Sequence, residues 1–192
     1  MIQKLKQALA QRQKVFNTDY DLVPSAVLVP IFYKEGEYYL LFTKRTEKVK
    51  VHKGQIAFPG GAYEEEDDTL LDTALRECTE EIGLSPDDVE LLGELDDMPT
   101  MSSDFVISPF VAVLPWPYPF KIDPWEVEKI IEVPLSALLD KDCVRQETEI
   151  LYGKQIPTYF YDYQGEVIWG ASARILHQFL DIYTRVMADK GE

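Results

Sequence analysis

Residues 76–84 of this chain read Arg76-Glu77-Cys78-Thr79-Glu80-Glu81-Ile82-Gly83-Leu84, shortly after the turn sequence Phe58-Pro59-Gly60-Gly61. Positions i, i+3 and i+4 share one face of a helix, so the carboxylates of Glu77, Glu80 and Glu81 are predicted to converge on one small volume. Without a counter-charge these carboxylates would repel one another. Because hard divalent cations prefer carboxylate oxygen, the spacing predicts a site for such a cation.

The composition is typical of one large acidic domain. The 192 residues fit a single domain spanning residues 1–192, and 46% hydrophobic residues are enough to bury a full core. The formal net charge of -15 argues against nonspecific binding to nucleic acid or to an anionic membrane. The two cysteines do not indicate a disulfide framework. No apolar stretch is long enough for a signal peptide or a membrane span. We therefore expect a cytoplasmic protein.

The apolar periodicity predicts mixed strands and helices, which indicates an α/β or α+β sandwich. The predicted strands are residues 25–33, 38–44, 55–58, 89–95, 106–114, 130–133, 158–163 and 166–169. The predicted helices are an N-terminal one over about 2–16, one from Asp67 or Asp68 to Ile82, a short one from Leu135, and a C-terminal one over about 173–187. Gly83 is the expected stop of the glutamate helix. The apolar stripe of this helix is expected to lie well away from the centre of the three carboxylates.

The segment from Gly60 to Leu84 resembles the Nudix box, the signature G-x5-E-x7-R-E-U-x-E-E-x-G-U of a family of diphosphate hydrolases, where U is aliphatic. The second half matches, with Cys78 at an aliphatic position. The first half is one residue longer and has Asp67 or Asp68 in place of its glutamate, which resembles the coenzyme A diphosphatase branch. The resemblance implies an α/β fold, the Nudix α/β/α sandwich with a mixed central sheet.

The resemblance also implies roles for the residues of the box. Glu77, Glu80 and Glu81 would be the ligands of Mg²⁺ or Mn²⁺, and Arg76 would orient one of these carboxylates through paired hydrogen bonds. The cation would neutralise a diphosphate and activate the attacking water. The roles of Asp67 and Asp68 stay open.

A second segment, Leu41-Phe42-Thr43-Lys44-Arg45-Thr46, followed by Lys50, Gly54 and Phe58-Pro59-Gly60-Gly61, resembles the coenzyme A signature L-L-T-K-R-[SA]-x3-R-x3-G-x3-F-P-G-G. Lysine at position 50 keeps the charge of the signature's arginine but loses its fork. Residues 44–53 hold five basic side chains and one acid. This excess predicts a clamp for the phosphates of coenzyme A, with a solvated loop as the alternative. The expected substrate-binding residues are Lys44, Arg45, Lys50, Gly60 and Gly61.

Two assignments outside the box stay open at this point. Glu126 is the preferred catalytic base, by resemblance to loop carboxylates of the family, and its rivals are Glu128, Asp104 or a glutamate of the box. Three aromatic side chains could either stack on adenine or pack within the fold; these are Trp116, Tyr118 and Trp125.

We therefore expect metal-dependent hydrolysis of a diphosphate in coenzyme A or a derivative. The products would be 4′-phosphopantetheine, or its acyl form, and adenosine 3′,5′-bisphosphate. One alternative is a Nudix hydrolase of another nucleoside diphosphate derivative, such as ADP-ribose or a dinucleotide. Another is a catalytically silent nucleotide-binding module. The resemblance is compatible with a homodimer, although no segment of the sequence identifies an interface.

Overall fold

The centre of the fold is a long apolar strand, β1 (Val23–Lys34), in a computed structural model that describes residues 1–17, 19, 21–49, 52–101, 103–151 and 154–188. Successive side chains of a strand point to opposite faces. Ala26 and Leu28 are buried on one face of β1, whereas Val29 and Ile31 are buried on the other. Both faces of this strand are therefore covered by other elements.

A mixed sheet forms around β1. Its other strands are β2 (Glu37–Arg45), β3 (Ile56–Ala57), β4 (Gly60–Ala62), β5 (Glu90–Glu94), β6 (Met98–Pro99), β7 (Phe105–Val113) and β8 (Val127–Pro134). The main order is β3-β2-β1-β7-β5, while β4 pairs with β1, β6 with β7 and β8 with β2. The β1–β7 pair is parallel and the other pairs are antiparallel. A second sheet has the order β11-β10-β9 and consists of β9 (Val144–Leu151), β10 (Lys154–Tyr163) and β11 (Glu166–Ile168).

Helices cover both faces of the larger sheet. They are α1 (Ile2–Gln11), α2 (Leu70–Ile82), α3 (Leu135–Leu138) and α4 (Gly170–Ala188), with 3-10 turns at Pro86–Asp88 and Lys141–Cys143. On one face, α2 buries Ala74, Cys78 and Ile82 against the sheet. On the other face, Leu5 of α1 and Phe179 of α4 lie in a second apolar cluster. This arrangement confirms the predicted α/β/α sandwich with a mixed central sheet.

The predicted N-terminal helix over 2–16 is wrong at its C-terminal end, since α1 ends at Gln11 and Arg12 is extended. Two carboxylates after β5 bind the following segment instead. The amide of Val15 donates to Asp96 at 2.7 Å, and the amide of Asn17 donates to Asp97 at 3.1 Å. These amides therefore find tertiary partners, and the segment needs no helix to satisfy them.

Other boundaries also differ from the predictions. Thr69, and neither Asp67 nor Asp68, is the N-cap of α2. The C-terminal helix begins at Gly170, three residues before its predicted start. Strand β9 was not predicted, because its exposed polar residues give no apolar alternation to detect. In the part of the chain that the structure describes, no helix combines the length and apolar character that a membrane span requires.

Candidate active site

Helix α2 carries the three glutamates and has clear signals at both ends. The Thr69 hydroxyl accepts the amide of Asp72 at 3.2 Å, which satisfies one of the free N–H groups at the helix start. Gly83 adopts a left-handed conformation, and its amide donates to Thr79 at 3.0 Å. The second half of the helix lies beside β4, where Glu81 approaches the amide of Gly60 and the Glu77 carboxylate lies next to Gly61.

The three glutamates occupy three different environments. The side chain of Glu80 is 60% exposed, that of Glu77 is 16% exposed and that of Glu81 is 2% exposed. The prediction that the three glutamates centre well away from the apolar stripe therefore does not extend to Glu81, which is buried. At about 100° per residue, Glu81 lies only about 60° from the buried Cys78 around the helix axis. It sits at the boundary between the core and the carboxylate face.

Arg76 is the hub of hydrogen bonds at this site. Its Nε and one terminal nitrogen grip the two carboxylate oxygens of Asp67 at 3.0 and 3.1 Å. The same guanidinium donates to Glu77 at 3.0 Å, to Glu80 at 3.4 Å and to the carbonyl of Ala62 at 3.0 Å. A planar fork suits such bidentate pairing. Arg76 therefore connects the loop before α2, strand β4 and two of the box glutamates.

Asp67, whose role the sequence left open, is the counter-ion of Arg76. It is buried, and it also accepts the Thr73 hydroxyl at 2.8 Å and the amide of Glu64 at 3.1 Å. The hydrogen bond from Arg76 is the main cause that lowers the pKa of Asp67 to about 2. Asp68, by contrast, is exposed. The sequence did not predict this pairing, because neither Thr73 nor Ala62 belongs to a motif that would point to a contact with Asp67 or Arg76.

Glu81 has a different arginine as its partner. Arg45, at the end of β2, donates to Glu81 at 3.2 Å and lies 3.8 Å from Glu126. The amide of Gly60 approaches the other oxygen of Glu81 at 3.4 Å. Burial raises the pKa of Glu81 to about 8; Arg45 opposes that rise, and the charges of Glu77 and Glu126 add to it. Glu77, Glu81 and Glu126 therefore lie within electrostatic range of one another.

The two glycines of the turn leave room for backbone and carboxylate. A β-carbon on Gly61 would lie 2.4 Å from the carboxylate carbon of Glu77. Gly60 has a φ of +150°, and a β-carbon there would lie 2.2 Å from the Ala26 carbonyl oxygen of the neighbouring strand. A side chain at position 60 would collide with the backbone of β1, whereas one at position 61 would have to displace the Glu77 carboxylate. The substrate-binding role expected for Gly60 and Gly61 stays a prediction.

The predicted basic clamp is only partly assembled. The ammonium of Lys44 lies 3.2 Å from Glu166 of β11 and 3.8 Å from Glu128, so it is neutralised by acids. Lys50 lies outside the described residues. The loop after Arg45 packs on the segment before β8, where the Thr46 amide donates to the Glu126 carbonyl at 2.9 Å. This contact brings Glu126 beside Arg45.

The chemistry of the donor set fits a hard divalent cation. Among the described residues, no three acidic, imidazole or thiol groups are arranged so that they could bind one metal ion together. In this arrangement Arg76 is hydrogen-bonded to Glu77 and Glu80, and Arg45 is hydrogen-bonded to Glu81. The space beside Gly61 that a β-carbon would fill is used by a carboxylate. Burial and mutual repulsion raise the pKa values of Glu77 and Glu81, and a cation would relieve that repulsion. The roles of Arg76, Glu77, Glu80, Glu81 and Glu126 stay predictions.

Known proteins resemble this chain in sequence. A family model described as the NUDIX domain matches residues 22–152. A protein of Photorhabdus laumondii subsp. laumondii, described as "Uncharacterized Nudix hydrolase NudL", is 39% identical over 154 residues, covering 80% of this chain and 81% of that protein. A protein of the same description from Pectobacterium atrosepticum is 33% identical over 162 residues, covering 80% and 79%.

Solved structures resemble the chain in fold. A MutT/nudix family protein from Enterococcus faecalis has a TM-score of 0.59 at 14% identity and covers 98% of this chain and 70% of that one. A C. elegans Ap4A hydrolase has a TM-score of 0.56 at 13% identity and covers 87% and 98%. At these identities the likeness concerns the fold alone.

The Asp67–Arg76 pair predicts a pH-dependent contribution to stability. The folded pKa of Asp67, about 2, lies below its ordinary 3.8. The stabilisation is therefore complete above about pH 4 and is lost as the pH falls through 2, with a size of about 2 kcal/mol. Urea denaturation at pH 7 should show Asp67→Asn less stable by about 2–3 kcal/mol, because the half-buried Arg76 guanidinium loses its bidentate carboxylate partner. The exposed Asp68→Asn is the control, with a change under about 0.5 kcal/mol; equal losses in both variants would contradict the pairing.

The contact between Gly61 and Glu77 predicts a coupled pair of substitutions. Gly61→Ala should lower the free energy of unfolding by about 1–3 kcal/mol, because the new methyl group collides with the Glu77 carboxylate. In the Glu77→Ala background the same glycine substitution should cost under about 0.5 kcal/mol, since the colliding group is absent. A double-mutant cycle by denaturant titration measures the coupling. Equal costs in the two backgrounds would show that the carboxylate does not occupy this space.

Proposed function

The chain belongs to the Nudix family of hydrolases, and from this premise we propose that it hydrolyses the diphosphate of coenzyme A or of a coenzyme A derivative. The enzyme class is that of a pyrophosphohydrolase acting on a nucleoside diphosphate derivative. The products of the proposed reaction are 4′-phosphopantetheine, or its acyl form, and adenosine 3′,5′-bisphosphate. Water is the second substrate, and its oxygen joins one phosphorus atom as the P–O–P bridge opens.

The observation that carries the proposal is the ion pair between Arg45 and Glu81. Arg45 belongs to the coenzyme A signature, and Glu81 belongs to the Nudix box. The two motifs are 36 positions apart, yet the guanidinium of Arg45 donates to Glu81 at 3.2 Å. A guanidinium fork binds phosphate and carboxylate with the same geometry, so Arg45 has the chemistry to hold a diphosphate oxygen beside the box carboxylates. Its Nε is buried without a partner among the described residues, which leaves this side chain incompletely satisfied.

Mg²⁺ or Mn²⁺ is the cation that this proposal requires, with Glu77, Glu80 and Glu81 as the residues that would hold it. When bound, such a cation neutralises the charge of the diphosphate and activates the attacking water. Arg76 fixes two of these carboxylates, because it donates to both Glu77 and Glu80. The net charge of -15 would repel a phosphorylated substrate, so local positive charge is essential at this site.

Glu126 is the proposed catalytic base. Its side chain is 42% exposed and lies 3.8 Å from Arg45, and its charge acts on both Glu77 and Glu81. An exposed carboxylate next to a buried acidic cluster can accept a proton from water that enters from solvent. Glu128 is a weaker candidate because it lies against Lys44 at 3.8 Å. Asp104 is exposed just before β7, and among the described residues no hydrogen bond or ion pair joins its carboxylate to this cluster.

The proposed substrate can be tested directly. Purified protein incubated with coenzyme A and Mn²⁺ should release 4′-phosphopantetheine and adenosine 3′,5′-bisphosphate, resolved by chromatography, and a chelator should abolish the release. Parallel rates on acyl and oxidised coenzyme A, ADP-ribose and diadenosine tetraphosphate decide the substrate class. If no form of coenzyme A is cleaved while ADP-ribose or diadenosine tetraphosphate is, the coenzyme A proposal is rejected in favour of that substrate.

A substitution at Glu80 tests the metal-ligand role without disturbing the fold. Because Glu80 is 60% exposed, Glu80→Gln should leave the melting temperature nearly unchanged. Turnover should fall by roughly 10²-fold or more, as expected when a metal ligand is neutralised. The exposed Glu66→Gln is the matched control and should keep the activity of the parent protein. Equal activity of Glu80→Gln and the parent would remove Glu80 from the mechanism.

A further inference from the structure

We propose that the indole of Trp125 is the platform on which the base of the nucleotide stacks, an inference that rests on the proposed nucleotide substrate. Sequence reasoning left three aromatic side chains open for this role. The structure distinguishes the three by the exposure of their rings and by the contacts that their side chains make within the fold.

Two of the three aromatic residues are used by the fold. Trp116 stacks on Phe32 with ring centroids 4.5 Å apart. The hydroxyl of Tyr118 donates to Asp88 and accepts the amide of Ser85, each at 2.9 Å. Both side chains therefore have packing roles. Trp125 is different because it is 63% exposed, an unusual state for a large indole, and a planar ligand can reach it.

The backbone of Trp125 is held from both sides. Its amide donates to the Asp123 carboxylate at 2.9 Å, and its carbonyl accepts the Thr46 hydroxyl at 2.6 Å. The amide of Asp123 in turn donates to the carbonyl of Glu81 at 2.9 Å. The exposed ring is therefore mounted on a segment tied to β2 and to the last turn of α2. A backbone fixed before binding loses little conformational entropy when the ligand arrives.

The surroundings of the ring match a nucleotide. Trp125 directly precedes Glu126, and the segment that carries it is bonded to Thr46, which follows Arg45, and to the carbonyl of Glu81. The Lys48 ammonium is 5.6 Å from the ring centroid and donates to the Pro124 carbonyl at 3.2 Å. An aromatic surface with an adjacent cation offers stacking to the base and attraction to a phosphate. Because every base has a π face, stacking sets affinity more than it distinguishes among bases.

The first experiment measures binding without hydrolysis. Adenosine 3′,5′-bisphosphate titrated into the parent protein should quench tryptophan fluorescence, whereas ribose 5-phosphate, which lacks a base, should not. Trp125→Phe should abolish most of the quench and keep the calorimetric affinity within about threefold, because phenylalanine can still stack. Trp125→Ala should weaken that affinity by about tenfold. Absence of a quench in the parent protein, or a full quench in Trp125→Phe, would overturn the proposal.

The second experiment separates this inference from the proposed reaction. With a substrate that the parent protein cleaves, Trp125→Ala should raise KM by about tenfold and leave kcat within about twofold. Tyr33→Ala is the matched control, since Tyr33 is 55% exposed at the far end of β1, and it should leave KM unchanged. Cleavage of coenzyme A with an unaltered KM in Trp125→Ala would reject the platform and keep the reaction. A base-dependent quench lost in Trp125→Phe, without cleavage of any coenzyme A form, would reject the reaction and keep the platform.

Discussion

The guanidinium of Arg76 is the interaction on which the arrangement of the site depends. It grips Asp67 in the loop before α2, the carbonyl of Ala62 in β4, and the carboxylates of Glu77 and Glu80 on its own helix. Removal of this one group would leave a buried aspartate without its cation. The helix and the glycine turn are therefore held in register by charge as well as by apolar packing, which explains how several acids can lie close together in so acidic a chain.

A second guanidinium, that of Arg45, stabilises the carboxylate of Glu81 inside the protein. Glu81 is nearly inaccessible to water, and a lone carboxylate there would be strongly disfavoured. Arg45 reaches it from the end of β2, and the segment 123–126 packs over the same end of the helix through its backbone bonds to Glu81 and Thr46. The same contacts bring Glu126 and Trp125 to the rim. The packing of segment 123–126 against the end of α2 therefore covers Glu81 and also positions Glu126 and Trp125.

Local patterns predicted the elements whose signals lie within a few residues. The apolar runs around Leu28 and Leu40 predicted β1 and β2, and Gly83 ended α2 as expected because only a left-handed residue closes that helix. Prediction failed where distant partners decide. The segment after Gln11 is extended because Asp96 and Asp97 bind its amides. Strand β9 gains its hydrogen bonds from β10 although most of its side chains are polar.

The sequence by itself determined that three glutamates follow one arginine at helical spacing, that glycines precede them, and that the chain carries the Nudix signature, because these facts are spacings along a helix and a turn. Only the tertiary structure decided which glutamate is buried, that Asp67 is the partner of Arg76, that Lys44 is neutralised by Glu166, and that Arg45 meets Glu81. Ion pairs between distant residues depend on which strands pair and which loops close over them. That information resides in the packing of the whole sheet and is absent from any local spacing.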